Sequence, residues 1–568
     1  MDTLNKLRRR QGSYVVRALI GGASVAVLLS AATITAKAED SVTVKEIQDL
    51  KARLKQLEKR LDNQAKVTQQ VVRQQAAYPP APYSPPLPWD KKFHLNGITI
   101  TPGGFFAMEG IYKARDTQGD YSPAFGSIPE YNNPLAHTQE LNLKARATRL
   151  SLLVEGAVNP DVLVSGYGEI DFQGAGLTAN ANQSNSYSPR IRVLYTTVDW
   201  KDEGWHFLAG QNWSLLTLQG KGIDPRYEDI PVTIDAQYVA GFAQARQPGL
   251  RVTKSFGDTF WLAASAEMSQ TTGCTGSFNF AAATAATPVN AVAGNGIICD
   301  ALGSTSGGSY LNSSNYYSLN HIPDVIAKAA WEPTVGDRKI HLEVFGLYTD
   351  LYDTVQQGLG NANGIAFNNI TFDKPGWGAG GSAIVPVIPK LIDVQGTGII
   401  GRGIGRYGQS QLNDVTFNPD GSLDGLPEVM YLGGAIVHAT PQLDLYLYGG
   451  GERILNADDT AFGTGYSPLN ADNSGCFLVN GACKGNTEST WEITGGFWDK
   501  VYDGAFGSLR VGLQYAYIER ELFPGTGASA GQPAFVGNPW FNEQEGFFSV
   551  RYYPFDNPPA APAVVSKY

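Results

Sequence analysis

Arginine residues alternate with apolar residues in several short segments of the chain, and their chemistry suits the attraction of anions. An arginine side chain stays charged and can bind a carboxylate or a phosphate through two parallel hydrogen bonds. A row of such side chains would attract anions weakly at many points and still release them. The candidates for this row are Arg149, Arg192 and Arg251, followed by Arg146, Arg190 and Arg246.

Acidic residues near the same segments predict an opposing charge. Arginines on one side of a narrow opening and carboxylates on the other would create a field across it. The acidic candidates, with one further arginine, are Glu109, Glu169, Asp171, Asp224, Arg226, Glu228 and Asp229. None of the six histidines lies in a GxSxG or HExxH setting, so the sequence indicates no catalytic site, no metal and no cofactor.

These side chains must be positioned by β-strands, because the pattern from Phe93 to Phe555 has a period of two. Short turns alternate with long loops rich in Gly, Asn and Ser. Seven turns and eight loops predict an all-β fold, a closed transmembrane barrel of sixteen antiparallel strands, with eighteen as the alternative. A soluble sandwich or propeller is the competing fold.

The composition also favours a membrane barrel. Charged residues make up 17% of the chain, against about 25% in typical globular proteins. After residue 40 the chain contains no run of the roughly 18 apolar residues that a membrane-spanning helix needs. Trp200, Trp205 and Trp331 lie near predicted strand ends, where barrels carry aromatic girdles.

The arginines in mid-strand are expected to point into the barrel, because a lipid-facing arginine near the membrane midplane costs about 2–4 kcal/mol. In the second strand the sequence leaves two possibilities for which residues face the barrel interior. Counting from Leu143 places Arg146 inside, whereas counting back from Leu152 places Arg149 inside. Both can point inward only if a β-bulge lies between them.

The N-terminal region predicts export and self-association. Residues 1–38 combine a basic start, an apolar run and a small-residue cleavage site, which indicates a signal peptide; a retained anchor is the alternative. Removing their six basic residues and one acid changes the formal charge from -10 to -15, which argues against a nucleic-acid partner. Residues 39–77 predict a short periplasmic coiled-coil helix, or else a lone amphipathic helix, through the spacing of Ile47, Leu50, Leu54, Leu57 and Leu61.

The remaining boundaries follow from composition. Residues 78–92 form a Pro-rich linker, residues 93–556 the barrel, and residues 557–568 a disordered tail. An even number of cysteines in an exported chain predicts two disulfides within loops, with a metal site as the rival interpretation. The predicted pairs are Cys274 with Cys299 and Cys476 with Cys483.

Several segments of the sequence resemble the DcaP-like outer-membrane porins, within the general trimeric bacterial porins. They are residues 145–150, 168–174, 189–195 and 208–214, with 246–251 as a fifth. The resemblance covers residues 93–260 by motif and the remainder by architecture. It implies a homotrimer and a third loop folded into the lumen, which places the constriction at residues 220–235, within the loop 216–240. An ordinary surface loop is the alternative. The long Cys-bearing loops depart from the family pattern, so a substrate preference is not carried over.

These observations predict a diffusion porin of the bacterial outer membrane and no enzyme. Its solutes would be small and hydrophilic, with a bias to anions or dicarboxylates, and its other partners would be outer-membrane lipid and lipopolysaccharide. One alternative is a sugar channel with a stacking track formed by Trp213, Tyr227 and Tyr238. Two more are an outer-membrane hydrolase and a structural anchor whose coiled coil contacts cell-wall material.

Overall fold

The structure, a computed structural model, divides the chain into two compact units, Met1–Pro88 and Trp89–Tyr568. In the first unit the described residues 51–53, 55–56 and 59–60 are helical and exposed. Association of this helix into a coiled coil stays a prediction. The residues outside the description are 1–50, 54, 57–58, 61–90, 118, 120, 122, 175–178, 181–183, 186, 274–277, 280–295, 299–317, 358–367, 419, 457–465, 468–469, 505, 529, 536 and 557–568.

The second unit is a closed antiparallel barrel of sixteen strands, which confirms the predicted all-β fold and strand number. The last strand pairs with the first, with Ser549 opposite Glu109. In chain order the strands are β1 Ile98–Lys113, β2 Glu140–Lys144 with Arg149–Ala157, β3 Val162–Gly174, β4 Ser188–Trp200, β5 Trp205–Trp213, β6 Arg246–Phe256, β7 Phe260–Glu267, β8 Asp324–Trp331, β9 His341–Gln357, β10 Asn368–Ile388, β11 Ile392–Arg402, β12 Pro427–His438, β13 Leu443–Ile454, β14 Thr487–Gly504, β15 Gly507–Leu522 and β16 Trp540–Tyr553.

The second unit also contains shorter strands and 3-10 helices outside the sixteen barrel strands. In the long loop before β8, Phe278–Asn279 pairs with Gly296–Ile298, which also meets the outer end of β9 at Val355. This hairpin is the type of addition that the eighteen-strand alternative assumed, but it adds only two or three residues per strand. The others are the strands Phe93–Leu95, Ala179–Asn180, Ser184–Asn185, Thr334–Val335, Arg338–Lys339, Val415–Phe417 and Leu423–Gly425, and the 3-10 helices Phe125–Ser127, Pro134–His137 and Gly405–Tyr407.

The strands alternate between an outer apolar face and an inner face packed against loops. In β9, Val344 and Tyr348 are 65% and 43% exposed, whereas Glu343, Phe345 and Leu347 are buried. Successive side chains of a strand point to opposite faces, so the exposed residues form the outer surface. Among the described residues, no helix is long and apolar enough to cross a membrane.

Candidate functional site

The loop between β5 and β6, residues 214–245, lies inside the barrel. Its apolar side chains are buried against the inner wall, with Ile223, Ile234 and Val239 at 0–1% exposed. This is the loop from which the sequence predicted a constriction. A surface loop would leave these side chains in water, so their burial stabilises the inward path.

Carboxylates on distant strands hold the backbone of this loop. The Gln219 N–H donates to Glu343 Oε1 at 3.1 Å, the Ala240 N–H to Glu492 Oε2 at 3.0 Å, and the Gly241 N–H to Glu452 Oε1 at 2.8 Å. A loop within a barrel has no partner strand for its N–H groups, and buried unpaired N–H groups are costly. The three acceptors therefore fix the path of the loop.

Gly241 is required at its position for two reasons. Its φ is +82°, which residues with a Cβ rarely adopt, and a Cβ there would lie 1.9 Å from the backbone oxygen of Tyr431. Only glycine lets the loop approach the wall closely enough to reach Glu452.

Three of the predicted arginines meet two acids on neighbouring strands beside the loop. Arg190 binds Asp171 through two hydrogen bonds of 3.0 and 2.7 Å. Arg192 contacts Glu169 at 2.6 Å and Asp171 at 3.0 Å, and its side chain is 1% exposed. Arg149 lies 3.5 Å from Glu169.

The expected arrangement of Glu169 and Asp171 is therefore wrong. The sequence argument placed the carboxylates across the opening from the arginines, but both acids lie on β3 between the arginine-bearing strands β2 and β4. Buried guanidinium groups need acceptors, and adjacent inward positions of the same sheet supply them at short range. Glu109 pairs instead with Arg551 on β16.

Two further predicted arginines surround Trp213 at the end of β5. The Arg246 guanidinium lies 4.9 Å and that of Arg192 5.8 Å from the centre of the indole ring. Arg251 Nη2 donates to the Trp213 carbonyl oxygen at 2.7 Å. Arg246 Nη1 and Arg251 Nε are buried without a hydrogen-bond partner. Three guanidinium groups therefore lie close to Trp213 at this part of the wall.

The bulge that would allow Arg146 and Arg149 to point inward together is present. Between the pairs Glu109–Lys144 and Phe105–Arg149, three residues of β1 oppose four of β2. Arg146 lies in this insertion, where its Nη2 donates to the Gln173 carbonyl oxygen at 2.8 Å.

A second bulge corrects the predicted alternation in β4. Arg192 is left without an opposite residue, so Arg192 and Val193 are both buried while Ile191 is 52% exposed. The sequence pattern had placed Val193 on the same face as Ile191.

The charged residues of the loop itself differ in exposure. Arg226 is exposed and lies 6.0 Å over the Tyr167 ring, whereas Asp224, Glu228 and Asp229 are half-buried. Burial raises the pKa of the carboxyl groups of Asp224 and Glu228, and that of Asp229 to about 7. Since removal from water disfavours the ionised form, the loop carries less negative charge at neutral pH than its composition indicates.

The carboxyl group of Asp235, in the same loop, also has a raised pKa. Its burial raises its pKa to about 7, although it accepts a hydrogen bond from Gln514 Nε2 at 2.9 Å.

A cavity of about 500 Å³ lies beneath the loop, on the side of the short turns. Its charged lining includes Arg149, Arg510 and Arg551, together with Glu169 and Asp444. Sequence reasoning missed Arg510 and Arg551, although Arg551 stands between the apolar Val550 and the aromatic Tyr552 in the period-two pattern of β16, the signal that selected the other arginines.

The structure also joins Asp199, His206 and Ser255, which the sequence motifs did not predict. His206 lies 2.8 Å from Asp199 Oδ1 and 3.3 Å from Ser255 Oγ. The Ser255 hydroxyl and N–H both donate to the Gly204 carbonyl oxygen, at 3.2 and 2.8 Å. We interpret this series of hydrogen bonds as attaching the short turn between β4 and β5 to β6.

Of the two predicted disulfides, one lies in the described part of the chain. Cys476 and Cys483 form a disulfide. Cys274 and Cys299 lie outside the described residues, as do the predicted coiled-coil residues Ile47, Leu50, Leu54, Leu57 and Leu61.

A closed barrel of sixteen strands with an inward loop and charged inner walls is the architecture of an outer-membrane porin. No protein-family model matches the chain, and no curated protein matches its sequence. Solved structures do match. The outer membrane channel DcaP of Acinetobacter baumannii is 18% identical, with 81% of this chain and 99% of that chain covered and a TM-score of 0.53.

Two further matches are more distant. OmpT, an outer membrane protein of Vibrio cholerae, is 11% identical, covers 82% of this chain and 99% of its own, and has a TM-score of 0.40. An anion-selective porin from Comamonas acidovorans is 8% identical, covers 80% and 99%, and has a TM-score of 0.40. The likeness to DcaP confirms, at the level of the fold, the resemblance found in the sequence.

Proposed function

We propose that the protein is a DcaP-like diffusion porin of the outer membrane that passes small hydrophilic solutes with a bias to anions. The observation that carries this proposal is the excess of guanidinium groups beside the inward loop. Five arginines, at positions 146, 149, 190, 192 and 246, accompany two carboxylates, Glu169 and Asp171. Selectivity depends on charges at the narrow part of a pore, so the net charge of -10 for the whole chain does not oppose this bias.

The contacts of Trp213 support an anion channel over a sugar channel. Its indole is 4% exposed, and two guanidinium groups lie over it. A sugar needs the free face of an aromatic ring for stacking, and this ring is already covered. The proposed solutes are therefore anions such as carboxylates, which arginine binds through two oxygens.

We further propose a homotrimer exported by signal peptide 1–38, with periplasmic coiled coil 39–77, linker 78–92 and tail 557–568. An apolar groove of about 640 Å³ on the outer wall supports contacts with other subunits or with lipid and lipopolysaccharide chains. Leu141, Leu143 and Tyr515 in this groove are 69%, 57% and 53% exposed. Such a continuous apolar surface is suited to an interface or to the membrane.

Single-channel recording in a planar bilayer tests the proposed function. We expect conductance steps in groups of three and a reversal potential, under a salt gradient, of the sign that anion permeation gives. Steps without ion selectivity would support the neutral-solute channel. An absence of conductance from the correctly folded chain would contradict the porin function and favour the structural anchor.

The selectivity should also depend on pH. The pKa values of Asp229 and Asp235 are raised to about 7, so both ionise as the pH rises through neutrality. We expect anion preference to be stronger at about pH 5.5 than at about pH 8.5. At the lower pH both carboxyl groups are protonated, so the loop carries two fewer negative charges. The Asp229→Asn, Asp235→Asn double variant is the control and should show a smaller change. An equal change in this variant would assign the pH dependence to other groups.

A further inference from the structure

Three potential metal ligands converge at the outer end of the barrel, away from the inward loop. His321 precedes β8, Asp350 lies on β9, and Asp373 lies on β10. Each offers one ligand atom, and the three atoms lie within 4.8 Å of one another. Among the described residues this is the only group of three or more His, Cys, Asp or Glu side chains with such spacing.

The group faces outward from the barrel wall. Asp350 is opposite Pro375 and Tyr352 is opposite Asp373, and directly opposed residues of an antiparallel pair share a face. Two positions nearer the membrane on the same face lie Tyr348 and Trp377, which are 43% and 48% exposed. The group therefore lies just beyond exposed aromatic side chains on the outer surface.

One oxygen of the Asp350 carboxyl group has no hydrogen-bond partner although the residue is buried. This residue is 2% exposed, and its Oδ2 atom accepts no hydrogen bond. Asp373 and His321, in contrast, have side chains that are 47% and 59% exposed, and His321 Nδ1 lies 2.9 Å from Asp373 Oδ1. A buried carboxylate beside a second carboxylate is costly unless a shared proton or a cation neutralises the pair.

We propose that His321, Asp350 and Asp373 bind a divalent metal ion of the class that accepts imidazole nitrogen, represented by Zn²⁺. Two carboxylates balance the charge of the ion, and imidazole favours Zn²⁺ over the hard cations Ca²⁺ and Mg²⁺. Ligands about 2 Å from a tetrahedral Zn²⁺ lie about 3.3 Å apart, so side-chain movements of about 1 Å would close the site.

The proposed ion would link the described segment just before β8 to the hairpin β9–β10. His321 belongs to the connection that enters β8, whereas the two aspartates belong to the hairpin β9–β10. The two exposed ligands leave the site open to the outside, so an ion can enter without passing through the pore.

Calorimetric titration of the purified, metal-free full chain in detergent with Zn²⁺ tests the site. We expect saturable binding of one ion per chain, and we expect Asp350→Asn to weaken it about 100-fold or more, since even outer-shell partners typically contribute 10- to 100-fold. His438→Ala is the matched control. His438 also contacts two aspartates, Asp444 at 2.7 Å and Asp393 at 3.2 Å, but through different ring nitrogens, so these groups cannot share one ion.

The exposed residue His321 provides a second variant for the case in which Asp350→Asn does not fold. His321→Ala should weaken Zn²⁺ binding while the barrel keeps its circular dichroism spectrum. The proposal is overturned by a folded chain that binds no Zn²⁺, by unchanged binding in His321→Ala, or by stronger binding of Ca²⁺ than of Zn²⁺.

Discussion

Replacing Arg192 by glutamate should shift the channel strongly toward cations. Arg192 lies between Glu169 and Asp171, at 2.6 and 3.0 Å. The substitution removes one of five guanidinium groups and adds a third carboxylate, so a local excess of three positive charges falls to one. Fixed charges in a pore lined by protein act over short distances with little screening. The measurement is the reversal potential in a planar bilayer under a salt gradient.

Two further variants separate charge from folding. Arg190→Glu makes the same change at a side chain that is 32% exposed, where the cost to stability should be smaller. Arg402→Glu is the matched control, because Arg402 also pairs with an acid, Asp424 at 3.2 Å, but lies at the outer end of β11 opposite the exposed Trp377. An equal shift in Arg402→Glu, or none in the two inner variants, would remove these arginines from the selectivity mechanism.

Shortening the inward loop should produce the largest change in conductance. Residues 219–241 can be replaced by a short Gly-Ser linker while Trp213 and Arg246 keep their strand positions. A barrel of sixteen strands encloses an aqueous channel unless loops fill it, so we expect the single-channel conductance to rise roughly two- to threefold. Anion preference should decrease as well, because the arginines would face a wider opening.

The glutamates that hold the loop provide a milder version of the same experiment. Glu452→Ala and Glu492→Ala each leave a buried loop N–H unpaired, which costs about 1–3 kcal/mol. Together they should increase current noise without altering the barrel. Glu519→Ala is a suitable control, since Glu519 accepts from the Trp491 side chain and from Tyr517 rather than from the loop. Unchanged conductance in the shortened variant would show that the loop does not limit the pore.

The sequence alone determined the features that depend on local periodicity. The alternation of short turns and long loops predicted sixteen strands, and the cost of lipid-facing arginine predicted that Arg149, Arg192 and Arg251 point inward, as their burial or inner contacts show. The phase conflict between Leu143 and Leu152 even required a bulge, which is present. A period of two is a property of neighbouring residues, so it can be recognised without the tertiary structure.

The tertiary structure decided which charges meet. Glu343, Glu452 and Glu492 lie 124 to 252 residues from the loop N–H groups that they accept, so no sequence pattern connects them. Nor did alternation predict that Glu169 and Asp171 would pair with their neighbouring arginines rather than oppose them across the lumen. Those contacts depend on barrel closure, strand register and the inward path of a loop, and each of these brings together residues that are distant in the chain.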